Sequence, residues 1–149
     1  FMPTGTEAWE LLVSMIGEHG KATDPVVRQE AMAIYSRLQI ARFTAQRSAA
    51  AAAAGHLPGP EVSLGKLASV ELMRAWRELA LRVLGPGGQL AGDDAPRQGH
   101  ITQIALSTPG MSIAGGTDEI QRNIIGERVL GLPGEPRLDK DIAYSDVPR

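Results

Sequence analysis

One long amphipathic segment, which begins at Asp24-Pro25 and ends at Gly55, constrains the fold more than any other feature. Asp24 can cap a helix, and a proline at the first helical position loses no hydrogen bond. Apolar residues recur between these ends at steps of four and three: Val27, Ala31, Ile34, Leu38, Ala41 and Ala45. A helix of about 30 residues is roughly 45 Å long. Because heptad-like spacing is typical of nearly parallel helices, the segment predicts a bundle.

The alanine run at the end of this segment, residues 49–54, has two interpretations. It is either a low-complexity stretch or a helix surface that lets a neighbouring backbone approach closely. The high helix propensity and small volume of alanine favour the second interpretation. Alanine is also abundant in the whole chain while only six residues are aromatic. That balance favours close-packed helices over a β-sandwich, which relies on aromatic and β-branched side chains.

Four further segments have helical periodicity: Thr6–Ile16, Val62–Leu84, Arg97–Ser107 and Asp118–Leu130. The residues predicted to be buried in them are, in chain order, Trp9, Leu12, Val13, Ile16, Leu64, Leu67, Ala68, Leu72, Ala75, Trp76, Leu79, Val83, Ile101, Ile104, Ala105, Ile120, Ile124 and Ile125. Pro109-Gly110 is expected to end the third of these segments.

The elements together predict an all-α protein, an up-down four-helix bundle with an additional short helix and a C-terminal tail. A length of 149 residues favours one domain. We assign the bundle to residues 1–133 and the tail to residues 134–149, where helical periodicity is absent. The chain begins with Phe1 rather than Met, so we expect a fragment of a longer protein.

Charge and cysteine content exclude several classes of function. Lys and Arg number 15 against 17 Asp and Glu, so the basic excess of a nucleic-acid binder is absent. With no cysteine, the chain has neither disulfides nor a thiolate metal site. The same absence fits a reducing compartment, and we expect a cytoplasmic protein. No apolar run reaches the roughly 18 residues that a membrane span requires.

Most familiar active-site patterns are also missing, so no catalytic residue and no metal ligand is assigned. His19, His56 and His100 are scattered, without the spacing of metal ligands. The glycine-rich segment 85–88 lacks the Lys-Ser/Thr that follows in a phosphate-binding P-loop.

Gly115-Gly116-Thr117 is the segment with the best candidate chemistry. Two glycines permit positive φ and close approach of a ligand, and Thr117 can cap the helix that follows. Free N–H groups at a helix start attract anions, but Asp118 and Glu119 already complement the helix dipole there and would repel a phosphate. A capped turn and a ligand-facing turn both stay open.

Residues 115–132, GGTDEIQRNIIGERVLGL, strongly resemble the C-terminal motif of acyl-CoA dehydrogenases, above all the actinobacterial members. The order of the helices before the motif is similar as well. The resemblance implies a C-terminal helical domain whose own N-terminal and middle domains lie elsewhere, in a homo- or hetero-oligomer. It also implies FAD as the cofactor, an acyl-CoA substrate, an electron-transfer flavoprotein as partner, and a glutamate that removes the α-proton of the thioester.

The resemblance also implies which residues bind the cofactor. Thr117 and Glu119 match positions that contact flavin, and Gly116 matches a glycine that permits close approach. Gly115, the fourth predicted cofactor-binding residue, stands where many members carry the catalytic glutamate. In other members that glutamate lies on the first long helix, at a point that falls before Phe1. Glu7 and Glu10 do not match it, so the chain alone is expected to be inactive and free of FAD.

Three departures from the family pattern concern the flavin contacts across subunits. The family's Arg-x-x-Phe-Gly segment is not recognisable at residues 17–20, Arg82 stands where a Gln is common, and Pro86 replaces a loop glycine. A non-catalytic subunit of a heteromeric dehydrogenase is therefore one alternative function. A helical oligomerisation module without chemistry is another, and a flavin monooxygenase with the same bundle is a third. Arg122 matches a family arginine to which we assign a structural role.

Overall fold

The computed structural model describes residues 5–60, 62–134, 142, 143 and 145. The described residues contain no strand, which confirms the predicted all-α class. The α-helices are α1 (Gly5–Glu18), α2 (Pro25–Ala53), α3 (Val62–Leu84), α4 (His100–Met111) and α5 (Asp118–Ile124). Short 3-10 turns occupy Gly85–Gln89 and Pro96–Gly99, and a π-helical turn, Ile125–Val129, continues α5. Most of the predicted tail, 134–149, lies outside the described residues.

The predicted start of α2 is confirmed in detail. Asp24 has extended backbone angles, and its carboxylate accepts hydrogen bonds from the N–H groups of Val26 and Val27 at 2.9 and 3.2 Å. Pro25 occupies the first turn, where no N–H is needed. Among the described helices, none is long and apolar enough to cross a membrane.

Helix α3 is the centre of the fold, because it packs against each of the other four helices. Its Trp76 is 1% exposed, and the indole Nε1–H donates to the carbonyl of Ala8 on α1 at 2.8 Å. The fully buried side chains around it are contributed by every helix from α1 to α4: Leu12, Met15, Ile34, Leu79 and Ile101. Arg82 near the end of α3 pairs with Glu30 near the start of α2, so these two helices run antiparallel.

The apolar stripe of α2 predicts burial correctly at four of its six residues. Val27, Ala31, Ile34 and Leu38 are buried. Ala41 and Ala45 continue the same spacing but are exposed, as is every residue of α2 beyond Gln39. The close approach expected for alanines 49–54 is therefore not made by the described part of the chain. Periodicity identifies the apolar face of a helix, whereas burial also requires a neighbour against that face.

Other predicted core positions fail for the same reason. Val13 and Leu64 are 45% and 44% exposed, and Ala68 is exposed as well. On α1 the predicted Leu12 and Ile16 are buried, and Ala8 and Met15 complete the contact face.

Helix α4 does not end at Pro109, contrary to the expectation from sequence. It continues to Met111 with Pro109 inside its last turn. Proline removes one N–H donor from a helix, but tertiary packing can outweigh that loss. Thr108 beside it is fully buried, and its hydroxyl donates to the carbonyl of Ile104 at 2.8 Å. Two further N–H groups, of Ile113 and Ala114, bond to the carbonyl of Gly110 and tighten the turn that follows.

Candidate functional site

The loop between α4 and α5 carries the two glycines singled out by the sequence. Gly115 and Gly116 have φ values of +69° and +94°, which favour glycine. A Cβ atom at Gly116 would lie 2.8 Å from Nε2 of Gln121, so a side chain there would require the Gln121 amide to move. At Gly115 an added Cβ would meet nothing within 4 Å. The backbone of Gly115 is therefore the part of the loop that another group can approach.

Gln121 is a residue of the site that sequence reasoning missed. It is 6% exposed, and its Nε2 donates to the carbonyl of Gly115 at 2.9 Å. The amide thus fixes one peptide of the glycine pair from the first turns of α5. Its position one turn after a cap residue is the only signal for it in the sequence, and that signal does not distinguish it from the other polar residues of α5.

Thr117 caps α5, which agrees with the capped-turn interpretation of the sequence. Its backbone is extended, and its Oγ1 accepts a hydrogen bond from the N–H of Ile120 at 3.3 Å. Glu119 is exposed in the first turn of α5. Its own backbone N–H and then the Thr117 hydroxyl lower the pKa of the Glu119 carboxyl below its ordinary value. Two of the predicted cofactor-binding residues therefore lie together at the start of α5.

Asp118 attaches α5 to α3. Its side chain is 5% exposed and lies 3.2 Å from Nζ of Lys66 and 2.6 Å from Nη2 of Arg74. Burial by itself raises the pKa of the Asp118 carboxyl, but the hydrogen bonds from Arg74 and Lys66 outweigh it, so the pKa is lowered. The same contact with Asp118 raises the pKa of Arg74.

The face of α5 that meets the bundle is polar, which corrects the predicted apolar face. Asp118 and Gln121 are its buried residues. Ile120 is 51% exposed, and Ile124 and Ile125 are half-buried. The isoleucine spacing correctly indicates one apolar side of the helix. The side that packs against α3 is the adjacent one, because Lys66 and Arg74 of α3 pair with Asp118 there.

Residues considered for other chemistry lie apart from this loop. The part of the chain that the structure describes contains no cluster of three or more His, Asp or Glu residues suited to a metal. Glu7 and Glu10 are exposed on α1. Arg82 is engaged by Glu30. An open cavity of about 400 Å³ beyond α5 is bordered by Arg122 and Glu127, and it does not include the glycine pair.

The comparison with protein families decides what this helical arrangement is. Residues 7–130 match the family model described as the acyl-CoA dehydrogenase C-terminal domain. The chain belongs to the acyl-CoA dehydrogenase family. The match covers the bundle and ends just beyond the π-helical turn.

Similar proteins come mainly from mycobacteria. Acyl-CoA dehydrogenase IpdE1 of Mycobacterium tuberculosis is 33% identical over 126 residues, and IpdE1 of Mycolicibacterium smegmatis is 34% identical over 125 residues. These alignments cover 85% and 83% of this chain but only 32% and 30% of the two relatives. The chain thus spans about a third of the length of each relative.

Two solved structures share the fold. A chain of the "Tcur3481-Tcur3483 steroid ACAD" aligns with a TM-score of 0.75 and 22% identity, covering 85% of this chain and 34% of that one. A chain of the ChsE4-ChsE5 complex from Mycobacterium tuberculosis aligns with a TM-score of 0.71 and 20% identity, covering 89% of this chain and 38% of that one.

The described residues fit one wall of a site for FAD, the cofactor that the family implies. Gly115 leaves its backbone open, Thr117 is half-buried, and Glu119 is exposed, so a planar ligand has access to this loop. Large cofactors bind in concave sites that bury most of their surface. The loop is open to solvent, since Ile113, Ala114 and Gly115 are all exposed. Enclosure of a flavin therefore needs further protein surface.

Proposed function

We propose that this chain is the C-terminal helical domain, residues 1–133 with a tail at 134–149, of an FAD-dependent acyl-CoA dehydrogenase. The observation that carries the proposal is the match of residues 7–130 to that domain of the family. In the whole enzyme the reaction is dehydrogenation of the acyl-CoA thioester between its α and β carbons, for which FAD, when bound, would supply the hydride acceptor. We assign no residue of this chain to removal of the α-proton, because Gly115 has no carboxylate and neither Glu7 nor Glu10 matches the family's catalytic glutamate.

The contribution of this chain to the reaction is to bind and orient. Thr117 presents a hydroxyl and Gly115 an open backbone to the flavin, while Gly116 and Glu119 complete the same wall. The remaining walls belong to the N-terminal and middle domains and to a neighbouring subunit. An electron-transfer flavoprotein in the cytoplasm reoxidises the enzyme. The structural neighbour described as a steroid ACAD supports an acyl-CoA with a steroid acyl group as the substrate.

Flavin absorbance tests the proposal directly. The product of the complete reading frame should purify with the flavin absorption bands and should oxidise acyl-CoA in the presence of an electron acceptor. The 149-residue chain alone should show neither, because it supplies only one wall of the site. Stoichiometric FAD on the isolated chain, or a complete product that neither binds flavin nor acts on acyl-CoA, would contradict the proposal.

A non-catalytic subunit of a heteromeric dehydrogenase is the second candidate function. Gly115 in the position of the catalytic glutamate favours it. The fold is also shared with a chain of the ChsE4-ChsE5 complex, which consists of two different proteins. A glutamate on the helix that precedes Phe1 in the complete reading frame supports the catalytic subunit. Activity that appears only when a second gene product is added supports the heteromer.

A further inference from the structure

The loop that carries Gly115–Thr117 is held at both ends by one side chain of another helix. Nη2 of Arg74 on α3 lies 2.6 Å from Oγ of Ser112 and 2.6 Å from Oδ2 of Asp118. These two residues flank the loop. The N–H of Asp118 also donates to the carbonyl of Ser112 at 3.2 Å. Ser112 and Asp118 are therefore joined both by a backbone hydrogen bond and through the guanidinium of Arg74.

The guanidinium itself is fixed in orientation. Its other terminal nitrogen, Nη1, donates to Glu71 one turn earlier on α3 at 2.8 Å. Nη2 bonds to both Ser112 and Asp118 while Nη1 holds Glu71, and a lysine, with one nitrogen on a shorter side chain, cannot reach all three partners at these separate points. Lys66 illustrates the difference, because its one described bond in this cluster is to Asp118.

Each of the other contacts of the loop holds one end of it: Ile113 and Ala114 bond to Gly110 on the α4 side. Ile113, Ala114 and Gly115 are exposed, so the apolar core does not hold them. Two consecutive glycines with positive φ have the widest choice of backbone conformations of any residue type. Gln121 fixes the carbonyl of Gly115 from the α5 side only. The contacts that join Ser112 directly to Asp118 are those of Arg74 and the backbone bond beside it.

We propose that Arg74 is a positioning residue for the cofactor site, which holds the Gly115–Thr117 turn in the geometry that faces the flavin. The inference rests on the proposed function for the identity of the ligand. The link that Arg74 makes between Ser112 and Asp118 is a property of this chain alone and does not depend on the proposed function. Arg74 acts through Ser112 and Asp118 and does not touch the cofactor itself.

Amide hydrogen exchange on the 149-residue chain tests this link. Arg74→Lys keeps the charge but loses the fork, so the Asp118 N–H should exchange about tenfold faster or more, while amides in the middle of α3 change little. Ser112→Ala, which leaves the Arg74–Asp118 pair intact, should give a smaller increase. Arg77→Lys is the matched control, because Arg77 lies one turn away on α3 and pairs with Glu78. Unchanged exchange at Asp118 in Arg74→Lys, or an equal increase throughout the chain, would overturn the inference.

Flavin retention by the complete product separates this inference from the proposed function. Arg74→Lys should weaken FAD binding about fivefold or more without a matching fall in the melting temperature of the apoprotein, and Arg77→Lys should not. Flavin loss in Thr117→Val together with unchanged exchange in Arg74→Lys refutes the positioning role and leaves the proposed function standing. If Asp118 exchanges faster in Arg74→Lys but Arg74→Lys and Thr117→Val both retain flavin as the wild-type protein does, the placement of this loop against FAD is refuted.

Discussion

Helix α3 makes two kinds of contact, and they differ in what they determine. Around Trp76 it packs against α1, α2 and α4 through apolar side chains that are almost completely buried. Toward α5 it offers the cations Lys66 and Arg74 to one buried carboxylate, Asp118. Apolar burial is strong but not directional, whereas charged hydrogen bonds fix distances and angles. The core therefore provides most of the stability, and the polar attachment provides the geometry of the candidate site.

The largest effect is expected from the apolar contact. Trp76→Ala should lower the free energy of unfolding by about 3–5 kcal/mol, because it opens a cavity in the centre of the core. Urea denaturation measures the change. Trp76→Phe is the control that keeps most of the apolar volume and loses only the bond to the Ala8 carbonyl. A loss below about 1 kcal/mol in Trp76→Ala would show that the core is centred elsewhere.

Removing the carboxylate of the polar contact should have a smaller global effect. Asp118→Asn leaves Lys66 without its anion and Arg74 with only the exposed Glu71, so the melting temperature should fall by roughly 5 °C. Hydrogen exchange should show α5 opening before α3. Glu119→Gln is the matched control, since Glu119 is the next residue and is exposed. Equal changes in the two variants would mean that the ion pairs do not attach α5.

The difference in stability between the wild-type chain and Asp118→Asn should depend on pH. The pKa of Asp118 is lowered in the folded state from an ordinary value of 3.8, so the unfolded state binds the proton more readily. The stabilisation by Asp118 is then fully present above about pH 4 and is lost as the pH falls through the folded-state pKa. The difference in melting temperature between the wild-type chain and Asp118→Asn should shrink over that acidic window. A constant difference from pH 6 down to pH 2.5 would contradict the lowered pKa.

The smallest effect on stability is expected at the cap. Thr117→Val removes the acceptor for the Ile120 N–H and should cost about 1 kcal/mol, confined to the first turn of α5. In the complete product it should also weaken retention of FAD, measured by flavin absorbance after gel filtration. Thr117→Ser keeps the hydroxyl and should preserve both the cap and the cofactor. Unchanged flavin content in Thr117→Val would remove Thr117 from the site.

The local signals in the sequence were reliable where one residue acts on its own backbone. Asp24-Pro25 marks the start of α2, Thr117 caps α5, and the span predicted for α3, Val62–Leu84, is the one observed. The glycines at 115 and 116 do adopt positive φ. Caps and glycines depend on the conformation of neighbouring residues, so their effect can be inferred without a tertiary structure. Pro109 is the exception among the local signals, because it lies inside the last turn of α4 and does not end the helix.

The sequence by itself determined the helices, their order and the loop that contains the candidate site. Only the tertiary structure decided that the stripe of α2 is buried as far as Leu38 and exposed at Ala41 and Ala45. It also decided that Asp118 turns toward two cations 52 and 44 residues earlier in the chain, with Arg74 bridging to Ser112. The physical reason is that helical periodicity is a property of adjacent turns, whereas burial and ion pairing depend on which distant segment lies alongside.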